Sequence, residues 1–135
     1  ARFTNAAERD QAQAQERRMP YLHFMDQALE KFVRNDHKGC LEDLRIVLDR
    51  YPDDVNALFY AGLCCYNLGL NDRAERLLDR AAKHTYQVFN EEADWYHALA
   101  LDRLGRKDEA RSAMVRIMQA KGFYAAHAAA TIARQ

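Results

Sequence analysis

The sequence predicts an all-α protein made of stacked helix pairs, and three observations carry that prediction. Apolar residues recur three and four positions apart, and no stretch alternates as a strand would. Glycines stand just past the apolar runs, at Gly69, Gly105 and Gly122, where a helix end favours a residue free to take positive φ. Three columns of residues also repeat at offsets of 34 and then 36: Ala28, Gly62 and Ala98; Cys40, Ala74 and Ala110; Leu44, Leu78 and Met114.

The spacing places helices near 4–18, 21–34, 37–50, 54–68, 72–83, 91–104, 107–120 and 123–133. In the first, TNAAERDQAQAQERR, alanines and the preceding Phe3 are the only apolar material, so 1–20 reads as a polar N-terminal helix or linker ending at Pro20. Leu41, Leu44, Val47 and Leu48 share a helix face; so do Leu58, Ala61, Gly62, Cys65 and Leu68. Ala74, Leu77, Leu78 and Ala81 make a third face, and Ala110, Ala113, Met114, Ile117 and Met118 a fourth. Asn71 and Asn90 stand where an N-cap side chain would accept an orphan backbone N–H. Glu91 and Glu92 then fall in a first turn, at the favourable end of the helix dipole. The last helix, with Phe123, Tyr124, Ala128, Ala129 and Ile132, is expected to cover the open end of the third pair. The domain is therefore 21–135, with pairs at 21–52, 53–88 and 89–122 and a capping helix at 123–135.

The columns have a physical reading. Ala28, Gly62 and Ala98 let two helix backbones approach, and a larger side chain there would overpack by about 1–3 kcal/mol. Leu44, Leu78 and Met114 fill the space between consecutive pairs. One pair cannot bury its own apolar face, so neighbours must close the core.

The pattern resembles the tetratricopeptide repeat (TPR), with its period of about 34 and its W-x2-L-G-x2-Y…A-x3-F…P signature. The middle pair reads Leu58-x2-Ala61-Gly62-x2-Cys65, then Asn67-Leu68-Gly69, then Ala74-x3-Leu78. The last reads Asp94-x2-His97-Ala98-x2-Leu101, then Arg103-Leu104-Gly105, then Ala110-x3-Met114. The first keeps Gln27-Ala28, Cys40-x3-Leu44 and the terminal Pro52, where the second has Tyr86. WYHALALDRLGRKDEA followed by KGFY also looks like the last repeat of certain bacterial TPR proteins, some of which carry a membrane segment upstream. The resemblance covers about 21–120 and implies a TPR-like α-α superhelix of about three repeats.

Composition sets the function classes. Of 135 residues, 49% are hydrophobic and 30% charged, and Lys+Arg and Asp+Glu both number 20. Zero net charge gives no reason to expect nucleic acid. Arg17 and Arg18, beside Glu8, Asp10 and Glu16, read as a solvated face. No apolar run approaches the roughly 18 residues that span a bilayer, and no signal peptide is legible. The chain starts at Ala1 rather than Met, which is expected of a processed or excised piece, and the module is expected to be one part of a larger scaffold. The compartment stays open between the cytoplasm and attachment to a membrane segment outside this sequence. Cys40, Cys64 and Cys65 form neither a disulfide framework nor a zinc half-site, and neighbours on a helix point about 100° apart, so all three read as small buried hydrophobes. His23, His37, His84, His97 and His127 contain no pair at i, i+3 or i+4, so no metal or cofactor is expected. No nucleophile, P-loop or dinucleotide motif occurs, and the carboxylates of NEEADWYH already have a structural reason in the helix dipole, so a non-enzymatic protein is expected.

What remains is an aromatic and apolar stripe on the first helix of each pair. Phe59, Leu63 and Tyr66 are followed by Asn67; Trp95 and Leu99 repeat the stripe, followed by Asp102 and Arg103; Met25, Leu29 and Phe32 precede it. The TPR resemblance implies that this stripe lines a concave groove that holds a peptide or helical segment. The alternative is that these side chains pack adjacent first helices together. Family members that clamp a C-terminal carboxylate share Lys, Asn and Arg in the groove; the matching places here carry Met25, Leu29, Tyr60, Glu92 and Tyr96. An apolar partner segment or an amphipathic helix fits better. A second expectation, from another class, is a self-assembly unit that uses the stripe or the N-terminal helix to form a homodimer.

Overall fold

The computed structural model describes residues 5–135, without the side chains of residues 13–19. Phe3, and the side chains of Arg17 and Arg18, lie outside the described part. Among the described residues seven helices run in order: α1 Ala6–Val33, α2 His37–Arg50, α3 Val55–Asn67, α4 Asn71–Ala82, α5 Asn90–Arg103, α6 Lys107–Gln119 and α7 Ala125–Ala133. No strand occurs among the described residues. Each helix packs against its neighbours in the chain, and α3 also touches α5. No helix of the described residues is long and apolar enough to cross a membrane.

The expected helices at 4–18 and 21–34 are one helix, with Pro20 inside it. Proline removes one N–H, the partner of the Glu16 carbonyl, but Ala, Glu, Gln and Arg on either side are strong helix formers. Asn5 starts the helix by accepting the Glu8 N–H. Residues 5–11 are exposed, and packing against the core begins at Tyr21.

The repetition seen in the sequence recurs in the backbone of the turns. Asn35, Gly69 and Gly105 stand at the same offsets of 34 and 36, and all three take positive φ, at 65°, 77° and 77°. The residue after each donates its N–H to the carbonyl five residues back: Asp36 to Lys31 at 2.9 Å, Leu70 to Cys65 at 2.8 Å, Arg106 to Leu101 at 3.0 Å. This hydrogen bond satisfies an orphan carbonyl at the helix end and turns the chain back on itself. Gly122 does not belong to the set. The positive φ at the end of α6 falls on Lys121 instead, at 57°.

All nine column residues are buried. Gly62 shows why its column is small: a Cβ there would lie 2.8 Å from Cγ and Cδ2 of Leu78, itself fully buried on α4. The buried side chains fall into two groups. A large one runs from Met25 and Ala28 on α1 through α2, α3 and α4 to Ala93 and Ala100 on α5. A small one joins Ala98 and Leu101 of α5, Ala110, Ala113 and Met114 of α6, and Ala128 of α7.

The N-caps differ from expectation. Asn71 and Asn90 are already inside their helices, whose N-caps are Leu70 and Phe89 without side-chain hydrogen bonds. Besides Asn5, the caps that do form use Asp36, accepting from Gly39, and Asp54, accepting from Ala57, each at 2.9 Å. Tyr21 Oη donates to Asp54 at 3.0 Å, so α1 is tied to the start of α3. The capping helix starts at Ala125, later than expected; Ala128 is buried and Ile132 packs beside it, but Phe123 is 73% exposed.

Candidate functional site

Two places collect chemistry: the stripe on α1, α3 and α5, and a pair of clefts around α5. The stripe is divided by packing. Phe59 is only 5% exposed, because Phe89, the residue before α5, lies flat against it with ring centroids 4.2 Å apart. Phe59 is thus core, as the packing alternative had it, and offers little surface to a partner. Phe32 and Tyr60 continue this chain of rings edge to face at 5.3 Å. Trp95 is half-buried and stacked on Tyr124 at 5.3 Å, which fixes the start of α7 to α5.

The rest of the stripe keeps some surface. Leu63 and Leu99 are half-buried at matching positions, with Leu29 one repeat earlier. Tyr66 packs edge-on to Tyr96, and the Arg103 guanidinium lies 3.5 Å above its ring centroid while donating 2.7 Å to the Tyr66 carbonyl. Partial burial pushes the Tyr66 phenol up, against the pull of Arg103. Asn67 and Arg103 are exposed, and Asp102 accepts from Lys107 at 2.8 Å. The structure therefore brings Leu63, Tyr66, Asn67, Leu99, Asp102 and Arg103 to one face and withdraws Phe59 from it.

The clefts were not expected from the sequence. One, of about 500 Å³, lies between α4, α5 and α6 and is lined by Glu75, Asp79, Asp94, His97, Arg106, Glu109 and Arg116 among others. Glu75 organises it, taking His97 Nε2 at 2.8 Å and Arg106 at 3.2 Å. A carboxylate only accepts, so that bond puts a proton on Nε2 of His97. Arg106 also pairs with Glu109, whose carboxyl it holds below the usual range. The second, of about 260 Å³, lies between α5, α6 and the turn before α7, with Glu91, Asp94, Arg116, Ile117 and Tyr124 on its walls. The signal lay in the repeat itself. Where the middle pair carries Leu58 and Ala61, the third carries Asp94 and His97.

The cysteines are all fully buried. The neighbour of Cys64 that matters is Cys40 on α2, not Cys65. A hydrogen bond between the Cys64 and Cys40 thiols, with burial behind it, pushes the Cys64 thiol far up, and burial alone raises Cys65. The same hydrogen bond lowers the Cys40 thiol, while the protonated, enclosed Cys64 and Cys65 thiols are poor nucleophiles. Among the described residues no three His, Cys, Asp or Glu side chains are grouped to hold a metal ion. No family model, curated protein or solved structure matches this chain.

Proposed function

We propose that this chain is a TPR-like, non-enzymatic interaction module whose helices α1, α3 and α5 hold an apolar segment or amphipathic helix of a partner protein. One observation carries the reading. Leu29, Leu63 and Leu99 stand at offsets of 34 and 36 on successive first helices, and each is half-buried. Leucines neither sealed in a core nor scattered form an aligned apolar row. Beside Leu63 and Leu99 run Asn67 and Arg103, both exposed. An apolar row with a polar border fits an amphipathic partner, whose apolar face covers the leucines while its polar face meets Asn67 and Arg103. The repeated turns and columns support the TPR-like stacking that this row needs.

Selection of displayed peptides against the immobilised chain tests the reading. The expected binders carry apolar residues at helical spacing. Their affinity should fall at least tenfold in a Leu63→Glu/Leu99→Glu variant that keeps its helical circular dichroism, and should be unchanged by Arg76→Glu on α4. Undiminished binding by the folded double variant rejects the groove. A dimer seen by light scattering and dispersed by the same double variant would instead assign this face to a second copy of the chain.

A further inference from the structure

We propose that the smaller cleft, between α5, α6 and the turn before α7, binds a free α-amino acid with an apolar side chain. Its ammonium group would lie on the Glu91 and Asp94 carboxylates and its carboxylate on Arg116. The site is independent of the leucine row.

Three observations converge. First, the cleft is where the third pair departs from the repeat: Asp94 takes the place that fully buried Leu58 holds in the second pair. Departures from local packing logic gather at functional sites. Second, Glu91, Asp94 and Arg116 all line the cleft, and none makes a side-chain hydrogen bond or ion pair with a described residue. His97, which also lines the cleft, is by contrast held by Glu75, and Arg106 and Glu109 beyond it are paired as well. Third, Ala113, Ile117, Ala120 and Tyr124 provide an apolar wall, and exposed Phe123 stands at the same cleft.

The ligand class follows from charge and size. Two carboxylates favour an ammonium group, but a lone cation would be opposed by Arg116, whereas a zwitterion satisfies both signs. The volume of about 260 Å³ is near the small end of ligand pockets and suits a single small molecule rather than a peptide. Partial desolvation also raises the Asp94 carboxyl above its ordinary value, which an incoming ammonium would reverse.

Trp95 is the only tryptophan, and its ring stacks on Tyr124 of the cleft wall, so its emission reports occupancy. The chain is titrated with L-leucine, with isopentylamine, which lacks the carboxylate, and with isocaproate, which lacks the amine; calorimetry run in parallel detects binding that leaves the emission unchanged. L-leucine should saturate at millimolar concentration or below, and each truncated probe should bind at least tenfold more weakly. Asp94→Asn should weaken L-leucine and isopentylamine at least tenfold and spare isocaproate. Arg116→Gln should weaken L-leucine and isocaproate and spare isopentylamine. Glu91→Gln gives a second acid-side variant if Asp94→Asn loses its fold, and Asp72→Asn, on α4 away from the cleft, serves as the unaffected control. The proposal is overturned by no saturable binding of L-leucine by either readout. It is equally overturned by isopentylamine binding as tightly as L-leucine, or by folded Asp94→Asn and Glu91→Gln variants that both bind like the parent chain.

Discussion

In the second helix pair Leu58 and Ala61 are sealed inside with Cys65 behind them; at an offset of 36, Asp94 and His97 hold the same places and face clefts. The backbone does not register the change. Both pairs turn at a positive-φ glycine and close with the same hydrogen bond to the carbonyl five residues back. Turn geometry and core content are therefore set by different residues. The repeat can keep its shape while one unit exchanges apolar burial for ionisable side chains. The core lies in a large group that runs from the first two pairs onto Ala93 and Ala100 of α5 and a small one, mostly of alanines, under α7.

The largest break in this comparison comes from carrying the third pair's residue into the second. Leu58→Asp removes a fully buried leucine and leaves a carboxylate with no cleft to open into. Loss of the leucine alone costs about 2–5 kcal/mol, and the buried charge adds to it. Loss of the cooperative melt is expected at neutral pH, followed by circular dichroism. A variant that melts like the parent would show that the second pair tolerates polar groups as the third does.

Gly62→Leu comes next. The close approach of Leu78 leaves no room even for a Cβ, so a cost of about 3 kcal/mol is expected. Ala98, at the matching position, already carries a Cβ, and Ala98→Gly should cost only about 1 kcal/mol through helix propensity. Urea melts of the two variants measure the difference, and equal costs would mean that the two pairs cross at the same separation.

The sequence made the repeat legible because its columns are set by space: small residues where backbones approach, large ones between pairs. The turns at Gly69 and Gly105 were legible for the same kind of reason, since few other residues take that φ. Asn35 completes the set and was missed because asparagine is a weaker marker of the left-handed region. Pro20 misled because helix propensity on both sides outweighed one lost hydrogen bond. On the stripe, Leu63 and Leu99 could be placed from spacing, but Phe59 could not, because its cover is Phe89 in a link whose path periodicity does not describe. The clefts depend on Asp94 and His97, which the repeat sets opposite Leu58 and Ala61, but column spacing does not say that those places open into clefts.

Smaller effects refine the turns. Gly69→Ala and Gly105→Ala should each lower stability by about 1 kcal/mol, because φ is 77° at both while nothing crowds the added methyl. Equal losses by urea melt would confirm that the second and third turns are energetically alike although their cores differ. Asn35→Gly should raise stability slightly.

The smallest effect is the most diagnostic of the third pair. In the folded chain desolvation holds the Asp94 carboxyl above its ordinary value, against the opposing pull of His97 and Arg116. A raised carboxyl binds its proton more tightly folded than unfolded. Its contribution to stability is therefore full below the unfolded value, near pH 4, and is lost as pH rises through the folded one. Above that, the ionised side chain weighs against the fold. Asp94→Asn removes the ionisation, so at neutral pH the variant should be the more stable, by about 0.5 kcal/mol or less because the group is partly open to water. Melts from about pH 7 to about pH 4 should show the gap closing as the parent chain takes up its proton. A gap that does not change with pH would mean that shape rather than charge sets it. A less stable variant at neutral pH would mean that His97 and Arg116 hold Asp94 as a structural ion, and that the third pair is polar for its own packing.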